Sequence, residues 1–185
     1  MDNKRFKMFL GITLIIVILA GMSFYIFKKL SNSNVDFNEY VPAEEISDEQ
    51  IRRTFVKLYF LGNESHQLQV ENREIDAKEL LVNPYMKLTN LLISGPNAEG
   101  LEKLIPNDTK INAVGLNGNT VVLDLSYHFT SNIDDVTTAS NMVYSIVNTL
   151  TELTEVTNVK FLIDGNGNAK FDNCDFSLTE PFVRK

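Results

Sequence analysis

Hydrophobic residues are laid out in two styles along this chain: continuously over the first thirty positions, and periodically from residue 53 onward. The run from Met8 to Phe27 carries no charge over twenty residues, with Lys4, Arg5 and Lys7 before it and Lys28 and Lys29 after it. That length spans a bilayer core as a helix. Ser31 to Asp48 shows neither helical nor strand period and is rich in Ser, Asn, Asp and Glu, the composition of a linker. As a coil of that length it reaches about 25 Å on average.

Beyond the linker, Val56, Leu58 and Phe60 alternate with Lys57 and Tyr59, as in a half-buried strand. Gly62-Asn63-Glu64-Ser65 then turns the chain toward a second strand, Gln67 to Ile75. Asn83 before Pro84 reads as a helix start, Leu88, Leu91 and Leu92 as its apolar stripe, and Gly95-Pro96 as its stop. Lys110 to Val114 and Thr120 to Ser126 bracket Asn117-Gly118, a pair suited to a tight hairpin turn. Asp134 and Asp135 precede a second helix, in which Val136, Ala139, Val143, Ile146 and Leu150 recur at steps of three and four. Val159, Phe161 and Ile163 return to alternation. The order strand, strand, helix, hairpin, helix, strand predicts one α+β domain, a mostly antiparallel sheet with two helices packed on one face.

Charge orients this plan. The N-terminal flank of the apolar run is the more basic, which favours a cytoplasmic tail (1–7), a membrane-spanning anchor (8–27), a linker (28–52) and an extracytoplasmic domain (53–185). The competing reading is a cleaved secretory signal, whose apolar core is shorter and ends at a small-x-small site. Leu19-Ala20-Gly21-Met22 has the form of a lipoprotein signal with Met22 where the lipidated cysteine stands. Residues 31–185 carry 12 Lys/Arg against 23 Asp/Glu, a formal charge of −11. Such a surface repels nucleic acid and anionic lipid.

Little in the chain suggests chemistry. Cys174 is the only cysteine, so no internal disulfide forms, and no basic neighbour in sequence lowers its pKa. His66 and His128 have no partner nearby in sequence. No nucleophile elbow, phosphate loop or paired-cysteine metal spacing occurs. Catalytic residues and cofactors are expected to be none. The sharpest alternative is Asp164 to Asp175, where Asp164, Asn166, Asn168, Asp172 and Asp175 fall at positions 1, 3, 5, 9 and 12 of an EF-hand-like calcium loop. Ala169 stands where that loop needs glycine, and a Gly/Asn-rich turn between strands accounts for the same residues. Phe55, Tyr59 and Tyr85 read as core aromatics, or as a protein contact if left on an outer strand face.

An ordered set of segments carries a family resemblance. Val56-Lys57-Leu58-Tyr59-Phe60, Leu91-Leu92-Ile93-Ser94-Gly95-Pro96, Leu104-Ile105-Pro106-Asn107-Asp108-Thr109-Lys110, Val122-Leu123-Asp124-Leu125-Ser126, Ile146-Val147-Asn148-Thr149-Leu150, Val159 to Gly165 and Phe176 to Phe182 succeed one another as in the GerMN domain of sporulation and spore germination proteins. The chain resembles a single-domain, membrane-anchored member. Relatives commonly carry a lipoprotein cysteine and many have two such domains in tandem, and this chain departs from both. The resemblance implies a Gram-positive envelope protein with a fold similar to ring-building motifs. Its expected partners are the membrane, through the N-terminal helix, other envelope proteins and further copies of itself. The expectation is a non-enzymatic interaction module; a domain that binds cell-wall glycan, peptide or a small germinant is the alternative.

Overall fold

The computed structural model describes residues 52–185 and the isolated position Met22. The predicted tail and anchor, and all of the linker but its last residue, therefore lie outside the described residues, Met22 excepted. Among the described residues no helix is long and apolar enough to cross a membrane.

The elements run β1 (Arg53–Gly62), β2 (Leu68–Asp76), α1 (Lys78–Val82), α2 (Pro84–Ser94), β3 (Leu101–Glu102), β4 (Ile111–Asn117), β5 (Thr120–Leu125), a 3-10 turn (Tyr127–Phe129), α3 (Val136–Leu150), β6 (Asn158–Ile163) and β7 (Phe182–Val183). The predicted order is present, with α1, β3 and β7 as short additions. The predicted single sheet is instead two. One has the order β2-β1-β3 and is antiparallel; the other has the order β4-β5-β6-β7, with β5 and β6 parallel. Parallel neighbours need a crossover, and α3 is that crossover.

The reason the sheets stay separate lies on α3. Past its short pairing with β3, the edge of β1 away from β2 meets helix side chains rather than another strand. The Tyr59 N–H donates to Thr149 Oγ1 at 3.1 Å, and the Tyr59 carbonyl accepts from Ser145 Oγ at 2.7 Å. Ser145 and Thr149 are one helical turn apart and fully buried, so they stand where a neighbouring strand's backbone would. One apolar core fills the space between the sheets. Val56, Leu58 and Phe60 of β1 share it with Val121, Leu123 and Leu125 of β5, Val159 and Phe161 of β6, and the inner faces of α2 and α3.

Local signals explain the boundaries. Asn83 accepts the Met86 N–H at 2.9 Å and Pro84 opens α2, while Gly95 at φ 95° closes it with a bond to the Leu92 carbonyl. Asp135 caps α3 through the Thr138 N–H at 2.7 Å. Val136, read as part of the apolar stripe, is the first residue of α3 and half exposed. The β4-β5 turn is one residue later than predicted: Asn117 pairs with Thr120, and Gly118, at φ 60°, takes the first central position. Glycine there and an unstrained second residue match a type II′ hairpin.

Two polar staples complete the fold. Glu71 and Arg73 of β2 point inward and are buried as an ion pair. Glu71 also accepts the Asn97 and Ala98 N–H groups at 2.7 and 3.0 Å, and Arg73 donates to the Gly95 carbonyl at 2.9 Å, its guanidinium 5.7 Å from the Phe60 ring centre. Burial works to raise the Glu71 carboxyl, but the Ala98 N–H, Arg73 and the Asn97 N–H outweigh it and hold it below the ordinary carboxylate value. The C-terminal segment, poor in regular structure, is held by Lys160, which donates to the carbonyls of Gly167, Leu178 and Thr179. Phe129, Phe161, Phe171, Phe176 and Phe182 pack ring to ring beneath it at centroid distances of 5.7 to 6.0 Å.

Thr149→Val keeps the side-chain shape and strands the Tyr59 N–H. Urea denaturation of the intact chain is expected to show a loss of about 1–3 kcal/mol. Thr151→Val, whose hydroxyl bonds only within its own helix end, is expected to stay within about 0.5 kcal/mol of the parent.

Candidate functional site

The outer face of the β1-β2 hairpin is the most feature-rich surface of the domain. Because Leu58 and Phe60 point inward, Phe55, Lys57, Tyr59 and Leu61 point outward, opposite Glu74, Asn72, Val70 and Leu68 of β2. Phe55, read from sequence as core, is 71% exposed here, and Val70 is 43% exposed.

Where this face meets α3 there is an open groove of about 470 Å³. Tyr59, Gln67, Asn141, Tyr144, Asn148 and Lys185 line it. Each tyrosine ring already holds a cation: Arg184 lies 5.3 Å from the ring centre of Tyr59, and Lys185 Nζ lies 5.1 Å from that of Tyr144. Glu152 organises the rim. Its carboxylate accepts the Tyr59 hydroxyl at 2.8 Å, pairs with Lys57 at 3.1 Å and pairs with Arg184. Burial acts to raise its pKa, but Arg184, Tyr59 and Lys57 together pull it down to about 2. The same burial, with the Glu152 carboxylate, pushes the Tyr59 hydroxyl above its ordinary value, so it remains a donor at neutral pH. A second, charged hollow of about 560 Å³ lies at the opposite end of the hairpin and is lined by its own ion pairs, Arg52 with Asp76 at 3.5 Å and Arg53 with Glu74 at 3.2 Å.

The hairpin also has a bare edge. Tyr59 turns both backbone groups away from β2, so by alternation the residues paired to it and its outward neighbours do likewise. Leu68, Val70, Asn72 and Glu74 thus direct their N–H and C=O groups to the far side of β2, where they meet no backbone partner among the described residues.

The residues singled out by sequence fall elsewhere. Asp164 and Gly165, at φ 47° and 78°, form a two-residue type I′ connection in which Ile163 and Asn166 exchange both backbone bonds, at 3.1 and 2.9 Å. Asp164 accepts Asn112 Nδ2 at 2.9 Å and the Tyr127 N–H at 3.2 Å, and Asn166 accepts the Asn168 N–H at 3.0 Å. Asn168, Asp172 and Asp175 are exposed along the same segment. Among the described residues no group of three or more His, Cys, Asp or Glu side chains is placed to hold a metal. His128 Nδ1 lies 3.5 Å from Ser126 Oγ, an oxygen that also accepts the Lys110 N–H, and no carboxylate pairs with the imidazole among the described residues. Cys174 is half-buried. His66 sits in the β1-β2 turn at the groove's end. Glu152 and Ser145 carried no motif: Ser145 opens the wholly buried stretch 145–150 that ends α3, and Glu152 follows it.

A family comparison places this architecture. The Germane family, described as sporulation and spore germination, matches residues 57–168. The chain belongs to the Germane family. Among solved structures, a Clostridium perfringens protein provisionally named a lipoprotein is 25% identical over 75% of this chain and 92% of its own, with a TM-score of 0.50. The tandem GerMN domains of the sporulation protein GerM from Bacillus subtilis are 22% identical over 78% of this chain and 50% of theirs, at a TM-score of 0.57. The first GerMN domain of the same protein is 20% identical over 61% of this chain and 84% of its own, at 0.53. At those identities the two GerM structures show a shared fold, and this chain spans about half the length of the tandem. No curated protein matches the chain. This Germane domain thus pairs an α+β core with a tyrosine- and amide-lined groove and an open hairpin edge.

The depressed Glu152 carboxyl makes the rim pH-dependent with a definite sign. Its stabilisation is fully present above the unfolded carboxylate value of about 4.3 and is lost as pH falls toward about 2, an effect on the order of 2 kcal/mol. Chemical denaturation of Glu152→Gln beside the parent is expected to show a stability gap at pH 6 that closes between about pH 4.5 and pH 2.

Proposed function

We propose that this Germane domain is a non-enzymatic assembly module of the cell envelope in sporulation or germination, held at the outer face of a membrane by segment 8–27 and joined to partner proteins through the free edge of β2. The edge is the observation that carries the reading: four alternate residues of a nine-residue strand offer backbone donors and acceptors, the strand holds no Pro or Lys, and its inward-pointing charges, Glu71 and Arg73, are paired with each other. The neighbouring outer face adds apolar area at Phe55 and Val70. Family membership supports the setting, and the lipoprotein name of the Clostridium perfringens relative supports a place in the envelope. The twenty uncharged residues of 8–27 support the anchor. Anchoring in two dimensions raises effective concentration toward partners in the same membrane, so a modest edge contact suffices.

The groove favours a second reading, a site for cell-wall glycan, peptide or a small germinant, because tyrosine and amide side chains converge there. The cations over both rings occupy faces on which a sugar would stack, which is why the edge is preferred.

A photo-crosslinking residue at Asn72 on the edge, and another at Asn141 in the groove, separates the two in the native cell. Capture of specific envelope proteins, or of a second copy, from the Asn72 position is the expected result. With the crosslinker kept at position 72, Val70→Pro removes an outward N–H and no ladder bond, and is expected to lower that capture about tenfold through the loss of one or two interchain hydrogen bonds. Wall fragments crosslinked from Asn141, with no protein from Asn72, would sink the assembly reading.

A further inference from the structure

We propose that Leu81 and Val82 form a lipid-contacting tip, resting on the surface of the bilayer in which the chain is anchored; this builds on the membrane-anchored reading above. Leu81 is 80% and Val82 94% exposed, and the adjacent Met86 is 39% exposed. Single exposed apolar residues are ordinary, but two consecutive aliphatic side chains turned fully to water on an ordered element are not. The element is held from both sides. Leu80 packs on the core, the Ala77 N–H donates to the Arg52 carbonyl, the Lys78 N–H donates to Asp76 at 2.9 Å, and Asn83 caps the following helix. The pair sits at the end of α1, whose start is bonded to Asp76 and whose following helix is capped by Asn83.

Its location names the occupant. The chain from the anchor enters the described domain at Arg52, and Arg53 pairs with Asp76 at that same end of the hairpin. α1 starts two residues after Asp76, so Leu81 and Val82 project from the end of the domain to which the tether is attached. Charge agrees. Residues 52–185 carry 17 Asp/Glu against 12 Lys/Arg, a surface that anionic headgroups repel. At this end, however, Arg52 with Asp76, Arg53 with Glu74 and Lys87 with Glu79 are paired, and Lys78 adds a cation. The local surface is close to neutral around an apolar tip, the arrangement by which an interfacial segment seats its aliphatic side chains below the headgroups.

The absence of tryptophan from the chain allows a background-free test. Full-length Leu81→Trp is reconstituted into vesicles of phosphatidylcholine and phosphatidylglycerol, with or without acyl-chain bromination, and compared with Glu64→Trp. Glu64 lies in the β1-β2 turn at the other end of the ten-residue strand, about 30 Å away. Both variants are expected to float with the vesicles, with emission quenched about twofold by bromolipid for Leu81→Trp and little changed for Glu64→Trp. Flotation without selective quenching overturns the tip and leaves the anchor standing. A blue-shifted emission without quenching assigns Leu81 to a protein cover and likewise overturns it. Failure to float after reconstitution removes the anchor and the tip together.

Discussion

Everything in this domain hangs on how one residue's backbone is satisfied. Tyr59 sits mid-strand with both polar groups facing away from its hairpin partner, in a region too buried to leave them to water. An unpaired buried group costs about 1–3 kcal/mol. Ser145 and Thr149 remove that cost, and in doing so fix α3 lengthwise on the edge of β1. Since α3 is also the crossover between β5 and β6, the same two hydroxyls tie the first sheet to the second. The side chain of Tyr59 then emerges on the opposite face, where Glu152, just past the end of α3, takes its hydroxyl. One residue therefore sets both the junction of the sheets and the rim of the groove.

That junction also decides which edges remain open. A helix on β1 forbids further strand addition there, leaving β2 as the long unpaired edge of its sheet. Burying Glu71 and Arg73 serves this end. Both could have faced solvent, had β2 been shifted by one residue, and Leu68 and Val70 would have faced the core instead. The bonds from Glu71 to the Asn97 and Ala98 N–H groups, and from Arg73 to the Gly95 carbonyl, belong to one register only. A one-residue shift would leave those bonds unmade, so the pair penalises the alternative register.

The sequence made local structure readable and left long-range pairing hidden. The Asn83-Pro84 start, the Gly95 stop, the Asp135 cap and the faces of β1, β5 and β6 were all legible, because caps and alternation are short-range physics. The division into two sheets was not. It depends on Ser145 and Thr149, which in sequence look like ordinary polar positions of an amphipathic helix and reveal their role only when β1 lies alongside. Phe55 misled for the complementary reason: alternation placed it opposite Val56, Leu58 and Phe60, and aromatic character suggested burial, but the cover on that face, Glu152 and Arg184, lies over Tyr59 and leaves Phe55 exposed. The groove was invisible too, since Tyr59, Asn141, Tyr144 and Lys185 are brought together by the same helix-on-edge packing.

The tip and the edge, taken together, constrain how a neighbour could dock. β2 ends at the tether side and runs about 30 Å toward the β1-β2 turn. On the proposed seating, with the Arg52 end on a bilayer, that strand would lead away from the membrane and its bare edge would face sideways. A partner in the same membrane would then meet the edge laterally, with its own extended segment free to pair along the whole length, whereas a partner from an apposed surface would meet the β1-β2 turn and the groove beside it first. That arrangement would suit the edge to lateral assembly and the groove to contact across a gap. A domain orientation fixed by two aliphatic side chains would be enough to keep those two encounters from competing.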